Sequence, residues 1–255
     1  MTTAETDIRG GPAPAAWLSL EAARRWVKQG DSRFARLALS AFRAARRPQP
    51  PVIRPLHRGL YRLHLTTAGV LRWALQAVWF TPLLQSRLEA TAPRLLLENG
   101  MPQILGPLTV RLGADCTVNG AATWTGRAAS RVRPELVVGR NVTLGWRAVI
   151  SVGTRVEIGD DALLSSDVHI AGYPGHPLDP DARAAGLPDE DGQCGDVLIE
   201  QGAWIGAGVF INAGVRIGRG TVVAARSVVT RDLPPGVLAA GAPARVIRAL
   251  AEGAR

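Results

Sequence analysis

The residue in this sequence best suited to acid–base chemistry is a histidine in a loop bracketed by prolines. His176 stands in the stretch AGYPGHPLDP (171–180), with Gly175 directly before it and Pro174 and Pro177 close by. A neutral imidazole titrates near physiological pH. It can therefore take the proton of a hydroxyl while that oxygen attacks a carbonyl, a step that an alcohol performs poorly alone. Asp179, Asp181, Asp189 and Glu190 follow in the same stretch and could orient the ring, and their spacing does not single one out. The plain alternative is a solvated loop histidine, and only the surroundings of the loop weigh against it. A zinc centre is not expected. A hydratase of the γ-carbonic anhydrase type needs three imidazoles around the metal, and the second half of the chain holds only His169 and His176. Cys116 and Cys194 form neither a CxxC pair nor a disulfide framework, so both are expected as free thiols in a reducing compartment.

The elements that must hold this loop repeat every six residues. Ile199, Ile205, Ile211, Ile217, Val223 and Val229 keep that beat without a slip. Ala203, Val209, Val215, Thr221 and Ser227 follow the first five at a fixed offset. Earlier runs are Val138–Leu144–Ile150 and, after a two-residue shift, Val152–Ile158–Leu164–Ile170, with Leu112–Val118–Trp124 as a rougher start. Neither a helix nor a hairpin sustains a period of six. A β-helix does: each short strand points one branched side chain inward, then the chain turns a corner where a small residue fits. Three strands close a triangular coil, and stacked coils bury ladders of like residues. Aromatic residues make up only 5% of the chain, as a narrow aliphatic interior requires. The repeat is interrupted between Ile170 and Ile199, and a long loop in a compact domain is usually functional. The reading is a mainly β chain, with a parallel β-helix over 104–250, its candidate catalytic loop at 171–196 and an α-helical region before it.

The N-terminal part differs in kind. Residues 1–16 are expected as a disordered start, 17–47 as basic amphipathic helices, 48–55 as a Pro-rich linker and 56–103 as a helical segment. The formal net charge of +9 lies wholly here: residues 1–105 hold 15 Lys and Arg against 6 Asp and Glu, while residues 106–255 hold 15 of each. Phe34, Leu37, Ala38, Ala41, Phe42 and Ala45 recur at helical spacing among Arg33, Arg36, Arg43, Arg46 and Arg47. Such a helix can lie on an anionic membrane or dock on the protein's own body; no nucleic-acid partner is expected. The apolar stretch Val70 to Leu84 contains Arg72 and Gln76, is too short to span a bilayer, and is expected to be buried against the next domain or a neighbouring subunit. Residues 1–16 lack a secretory signal. The expected location is the cytoplasm, with peripheral contact at the inner membrane face as the extension.

Four segments, in this order, carry a family resemblance: GHPLD (175–179), AWIGA (203–207), SVVTRDLPP (227–235) and AGAPARVIR (240–248). The chain resembles the hexapeptide-repeat acyltransferases, and within them the maltose- and galactoside-type sugar and polysaccharide O-acetyltransferases. The resemblance implies a left-handed β-helix, a homotrimer and acetyl-CoA as donor, with the acceptor a hydroxyl of a glycan or glycan precursor. It implies that His176 is the general base and that the backbone N–H of Ala207 faces the thioester oxygen. Trp204 would lie beside the pantetheine end, with Ala225, Thr230 and Arg231 along the cofactor and Arg245 and Arg248 near the phosphates. Arg226 departs from the family's Gly-Ala-Gly turn, and either crowds the adenosine end or adds a phosphate contact. Gly145 and Gly153 stand where galactoside-type enzymes present an Asn and an Asp to the acceptor. Serine O-acetyltransferase and a non-catalytic β-helix scaffold are the competing expectations.

Overall fold

The computed structural model describes residues 33–47 and 50–250. The expected disordered start and the first half of the basic helical region lie outside the described residues. The chain divides into two compact units, residues 1–63 and 64–255.

In the first unit, α1 (Arg33–Arg46) realises the predicted amphipathic helix. Phe34, Leu37 and Phe42 are exposed on it. Arg43 and Arg46 occupy its last turn, where a cation complements the helix dipole. Helix α2 (Arg54–Leu75) starts inside the stretch expected to be linker, because Pro55 suits a first turn whose N–H groups have no partner anyway.

In the second unit, α2 widens into one π-helical turn over Gln76–Phe80, and α3 (Thr81–Arg87) follows. Leu84, Leu88 and Ala92 are buried here and close the first end of the β-helix. Gln76 bonds both the carbonyl and the N–H of Gly100, at 2.9 and 3.1 Å. Gln85 does the same for Ala92, at 2.8 Å each. Leu71, Trp73, Leu75, Val78 and Trp79 are exposed in the single protomer, which leaves a neighbouring subunit as the expected cover, and Phe80 packs partly against the core. The helical segment ends before residue 103. Helix α3 stops at Arg87, Leu88 is already extended, and Leu96–Glu98 alternates exposed–buried–exposed as the first strand.

Strands β1–β19 follow and form three sheets. The first runs β1 (Leu96–Glu98), β4 (Thr117–Asn119), β7 (Thr143–Leu144), β10 (Leu163–Leu164), β13 (Trp204–Ile205), β16 (Val222–Val223), β18 (Val237–Gly241), β19 (Ala244–Ala249). The second contains β2 (Gln103–Leu105), β5 (Thr123–Gly126), β8 (Val149–Val152), β11 (His169–Ala171), β14 (Phe210–Asn212) and β17 (Val228–Val229). The third contains β3 (Thr109–Leu112), β6 (Glu135–Val138), β9 (Arg155–Ile158), β12 (Val197–Ile199) and β15 (Arg216–Ile217). The first five coils each give one strand to every sheet, and all pairs are parallel except β18 with β19. This is a left-handed β-helix, opposite in hand to the usual parallel crossover. Its interior is a set of ladders. One runs Leu97, Val118, Leu144, Leu164, Ile205, Val223, Ala239, and another Ile104, Trp124, Ile150, Ile170, Ile211, Val229. The third sheet carries two inward rows, Val110–Leu136–Val156–Val197 and Leu112–Val138–Ile158–Ile199. That second row explains the two-residue shift in the repeat after Ile150.

Candidate active site

The candidate site residues lie along one corner, one outward row and one loop. At the corner from the first to the second sheet, successive coils stack closely. The Gly208 N–H donates to the Ser166 carbonyl at 2.9 Å, and the Arg226 N–H donates to the Ala207 carbonyl at 2.8 Å. Ala207 is exposed. Its own N–H has no acceptor among the described residues. A free backbone donor at an exposed corner is the kind of group that can meet a developing oxyanion. Ala225 and Arg226 form the same corner one coil on, with Arg226 at φ 60°.

The outward row lies on the first sheet. Register places Trp204, Val222, Leu238 and Arg248 in one line. Three strand spacings separate Trp204 from Arg248, roughly 14 Å. The Trp204 indole is half-exposed, and its Nε1–H donates to Ser165 Oγ at 3.3 Å. Arg245 lies in the same antiparallel strand as Arg248, opposite Ala240. Thr230 and Arg231 follow β17 and are exposed. The structure thus brings Trp204 and Arg248 into one row and stacks Ala207 beneath Arg226.

His176 stands apart from these groups, on the loop between β11 and β12. It is exposed, and no hydrogen bond reaches its ring from the described residues. Of the four carboxylates considered as its partners, those of Asp179, Asp189 and Glu190 are engaged elsewhere. Asp179 caps the short helix α4 (Pro180–Ala184), accepting from the N–H groups of Asp181 and Ala182 at 3.3 and 3.2 Å, and Asp181 lies in that helix's first turn. Glu190 caps the 3₁₀ turn Asp191–Gln193. Asp189 accepts from Arg127 Nε at 2.7 Å through one oxygen and from the Gly175 N–H at 3.1 Å through the other.

Arg127 was not among the expected site residues. Its guanidinium also donates to the Asp189 carbonyl and to Asp191 Oδ1, both at 2.6 Å. Arg127 and Asp189 are both 4% exposed, so the pair is buried. Hydrogen bonds to Asp189 and Asp191 hold the Arg127 guanidinium firmly protonated, and the Arg127 hydrogen bond holds the Asp191 carboxyl below the usual range. The sequence distance between Arg127 and Asp189 hides the pair. The one available signal was the missing beat between Trp124 and Leu136.

Gly145 and Gly153 are demanded by the backbone. A Cβ on Gly145 would meet the Ser165 carbonyl carbon at 2.6 Å, and one on Gly153 the Gly172 carbonyl oxygen at 2.6 Å. An Asn or an Asp has no room at either position. His169 is the other histidine of the repeat region. It stacks on Phe210 with ring centroids 4.7 Å apart, and burial lowers its pKa. Among the described residues no cluster of His, Cys, Asp and Glu could hold a metal ion, and no helix is long and apolar enough to cross a membrane.

Two family models match within the coils. They are the bacterial transferase hexapeptide (six repeats), over residues 196–231, and the hexapeptide repeat of succinyl-transferase, over residues 135–170. Residues 135–170 and 196–231 thus carry hexapeptide repeats. The galactoside O-acetyltransferase of Escherichia coli strain K12 is 38% identical over 111 residues, covering 44% of this chain and 52% of that protein. The galactoside O-acetyltransferase of Lactococcus lactis is 36% identical over 108 residues, covering 42% and 47%. Nodulation protein L of Rhizobium meliloti is 43% identical over 110 residues, covering 43% and 57%. The chain spans about half the length of these hexapeptide-repeat relatives. Among solved structures, the N-acyltransferase AntD from Bacillus cereus, in complex with dTDP and 3-hydroxybutyryl-CoA, has a TM-score of 0.52 and 18% identity, covering 67% of this chain and 87% of that one. It shares the fold.

Proposed function

We propose that the protein transfers an acetyl group from acetyl-CoA to a hydroxyl of a glycan or glycan precursor. The observation that carries this reading is the alignment of Trp204, Val222, Leu238 and Arg248 in one outward row beside the free N–H of Ala207. An extended thioester laid along that row has an indole at its acyl end and a cation at its phosphate end. Arg245 lies in the same strand as Arg248, the corner residues Ala225 and Arg226 stand at the edge of that sheet, and Thr230 and Arg231 lie at the next corner, beyond the second sheet; Arg pairs well with phosphate. His176 takes the proton of the attacking hydroxyl as the oxygen bonds to the thioester carbon. The Ala207 N–H stabilises the resulting oxyanion, and the thiolate departs with the proton that the imidazole returns. His176 has no partner among the described residues, and we read the site as completed between subunits of a homotrimer. The names of the galactoside O-acetyltransferases support a sugar acceptor. Gly145 and Gly153 leave out two of that group's acceptor contacts, so the acceptor differs from a simple galactoside. The basic, apolar helix α1 suits a membrane-borne precursor at an anionic surface.

Isothermal titration with acetyl-CoA, followed by turnover with glycan acceptors and with L-serine as control, tests the reading. Saturable micromolar binding is expected. His176→Ala should keep that binding and lose turnover by about 10²- to 10⁴-fold. Unchanged turnover in His176→Ala, or no acetyl-CoA binding by the unaltered protein, refutes it.

A further inference from the structure

The repeat is broken twice, and both breaks fall at the same corner of the triangle. Residues 127–134 separate β5 from β6, and residues 172–196 separate β11 from β12. Both connections pass from the second sheet to the third. The coil between them turns the same corner tightly, from Val152 to Arg155. Gly153 lies at that turn, where a Cβ would meet the Gly172 carbonyl oxygen at 2.6 Å and the Cys194 Cβ at 3.3 Å. The bare corner lets the two ends of the long loop close over it. Arg127 is the first residue of the earlier break. Its own N–H is held by the Val152 carbonyl at 2.9 Å, so its backbone belongs to the rigid stack while its side chain reaches into the long loop.

There the guanidinium places three donors. Nε bonds one carboxylate oxygen of Asp189, one Nη bonds the Asp189 carbonyl, and the other bonds Asp191. Asp189 is thus fixed at side chain and backbone together. Its remaining carboxylate oxygen accepts the N–H of Gly175, whose φ of +81° a larger residue would resist. His176 is the next residue. A histidine on an exposed loop, with no bond to its own ring, takes its position from its backbone; this bond ties the backbone down on the N-terminal side, and Arg183 holds the other side through the Pro177 carbonyl at 2.8 Å.

We propose that Arg127 is a positioning residue for His176: through Asp189 it fixes the Gly175 N–H and thereby sets where the imidazole stands. The proposal rests on the acetyl-transfer reading for its catalytic consequence, while the strut itself can be tested without turnover. Arg127→Met keeps the length and apolar stem and removes the three donors. Asp189→Asn keeps an acceptor for Gly175 and removes the charge. In the full-length protein, hydrogen exchange over residues 172–190 should accelerate at least about tenfold in Arg127→Met, with the strands of the ladders still protected. Turnover should fall by about 10- to 100-fold, the scale of a base displaced by about 1 Å, with acetyl-CoA affinity unchanged. Asp189→Asn should give a smaller loss of the same kind. Adding Arg127→Met to His176→Ala should cost nothing further, because Arg127 acts only through the ring. Unchanged exchange in the loop overturns the strut. A further loss in the double variant, or loss of acetyl-CoA binding in step with turnover, overturns the positioning role. If the unaltered protein transfers no acetyl group, the functional reading fails separately, and the exchange measurement still decides the strut.

Discussion

Replacing Arg226 by glycine should stabilise the protein and weaken its hold on the donor, and both effects follow from one corner. Left-handed backbone at the coil corners falls mostly on residues that tolerate it: Asp115, Asn141, Asp161, Asp167, Gly202, Gly208, Gly214 and Gly220. Arg226, at φ 60°, is a long side chain in that conformation. The strain costs about 1–2 kcal/mol in an L-residue. Glycine removes it, at the cost of about 0.5–1 kcal/mol of extra chain entropy lost on folding. The net gain is roughly 0.5–1 kcal/mol, a rise of about 1–4 °C in melting temperature for a chain of this size. The bond from residue 226 to the Ala207 carbonyl, at 2.8 Å, is a backbone bond and survives the change. The lost group is an exposed guanidinium beside the proposed donor line. Its loss should raise the acetyl-CoA Kd by about fivefold at low salt, the scale of an exposed ion pair. The difference should fade at high salt. Differential scanning calorimetry and isothermal titration at two ionic strengths measure the two effects. A lower melting temperature would refute the strain argument. Tighter acetyl-CoA binding would refute the phosphate contact and mean that the side chain crowds the groove.

Two further outcomes are expected. Burial holds the His169 pKa below its unfolded value, so its contribution to stability is complete above about pH 6.5 and is lost as pH falls through the folded value; melting temperature should drop as pH falls below about 6.5, and His169→Phe, which keeps a ring against Phe210, should flatten that slope, whereas parallel profiles would contradict it. The full-length chain should float with anionic liposomes more strongly than one shortened to begin near Pro50, since α1 carries exposed Phe34, Leu37 and Phe42 among its arginines; equal flotation would sink the membrane role.

The ladders were legible because their geometry is repetitive. Each inward position admits one branched side chain, and the corner after it needs a small or left-handed residue, so Ile199 to Val229 mark their coils by spacing alone. The irregular coils were not. Leu96–Glu98 is a first strand whose neighbour is present on one side only, and it follows a helix whose apolar residues gave no hint of their direction. The π-helical turn at Gln76–Phe80 turns Phe80 toward the core and leaves Trp73 and Trp79 exposed. That rotation comes from one extra residue per turn, which hydrophobic spacing does not encode. The candidate groove residues Trp204 and Arg248 were nominated by the segments quoted from the sequence, and the register sets them in one row. The Arg127–Asp189 pair was not, because a buried ion pair between two irregular loops leaves no periodic trace.

A β-helix that packs its interior this tightly has no catalytic group to offer from its ladders. In the stacked sheets every inward position is aliphatic or Trp124, and a polar group there would be unpaired and costly. The outward rows are flat and can bind an extended cofactor, but flat rows do not surround an acceptor. The base therefore has to come from an insertion, and an inserted loop is soft unless something anchors it. Here the anchor is supplied by the shorter insertion two coils earlier, through Arg127. The glycine between them, Gly153, is the bare turn on which both ends of the loop seat against the stack. A Gly153→Asp change meant to restore a galactoside contact should instead push Gly172 outward and loosen the loop that carries His176.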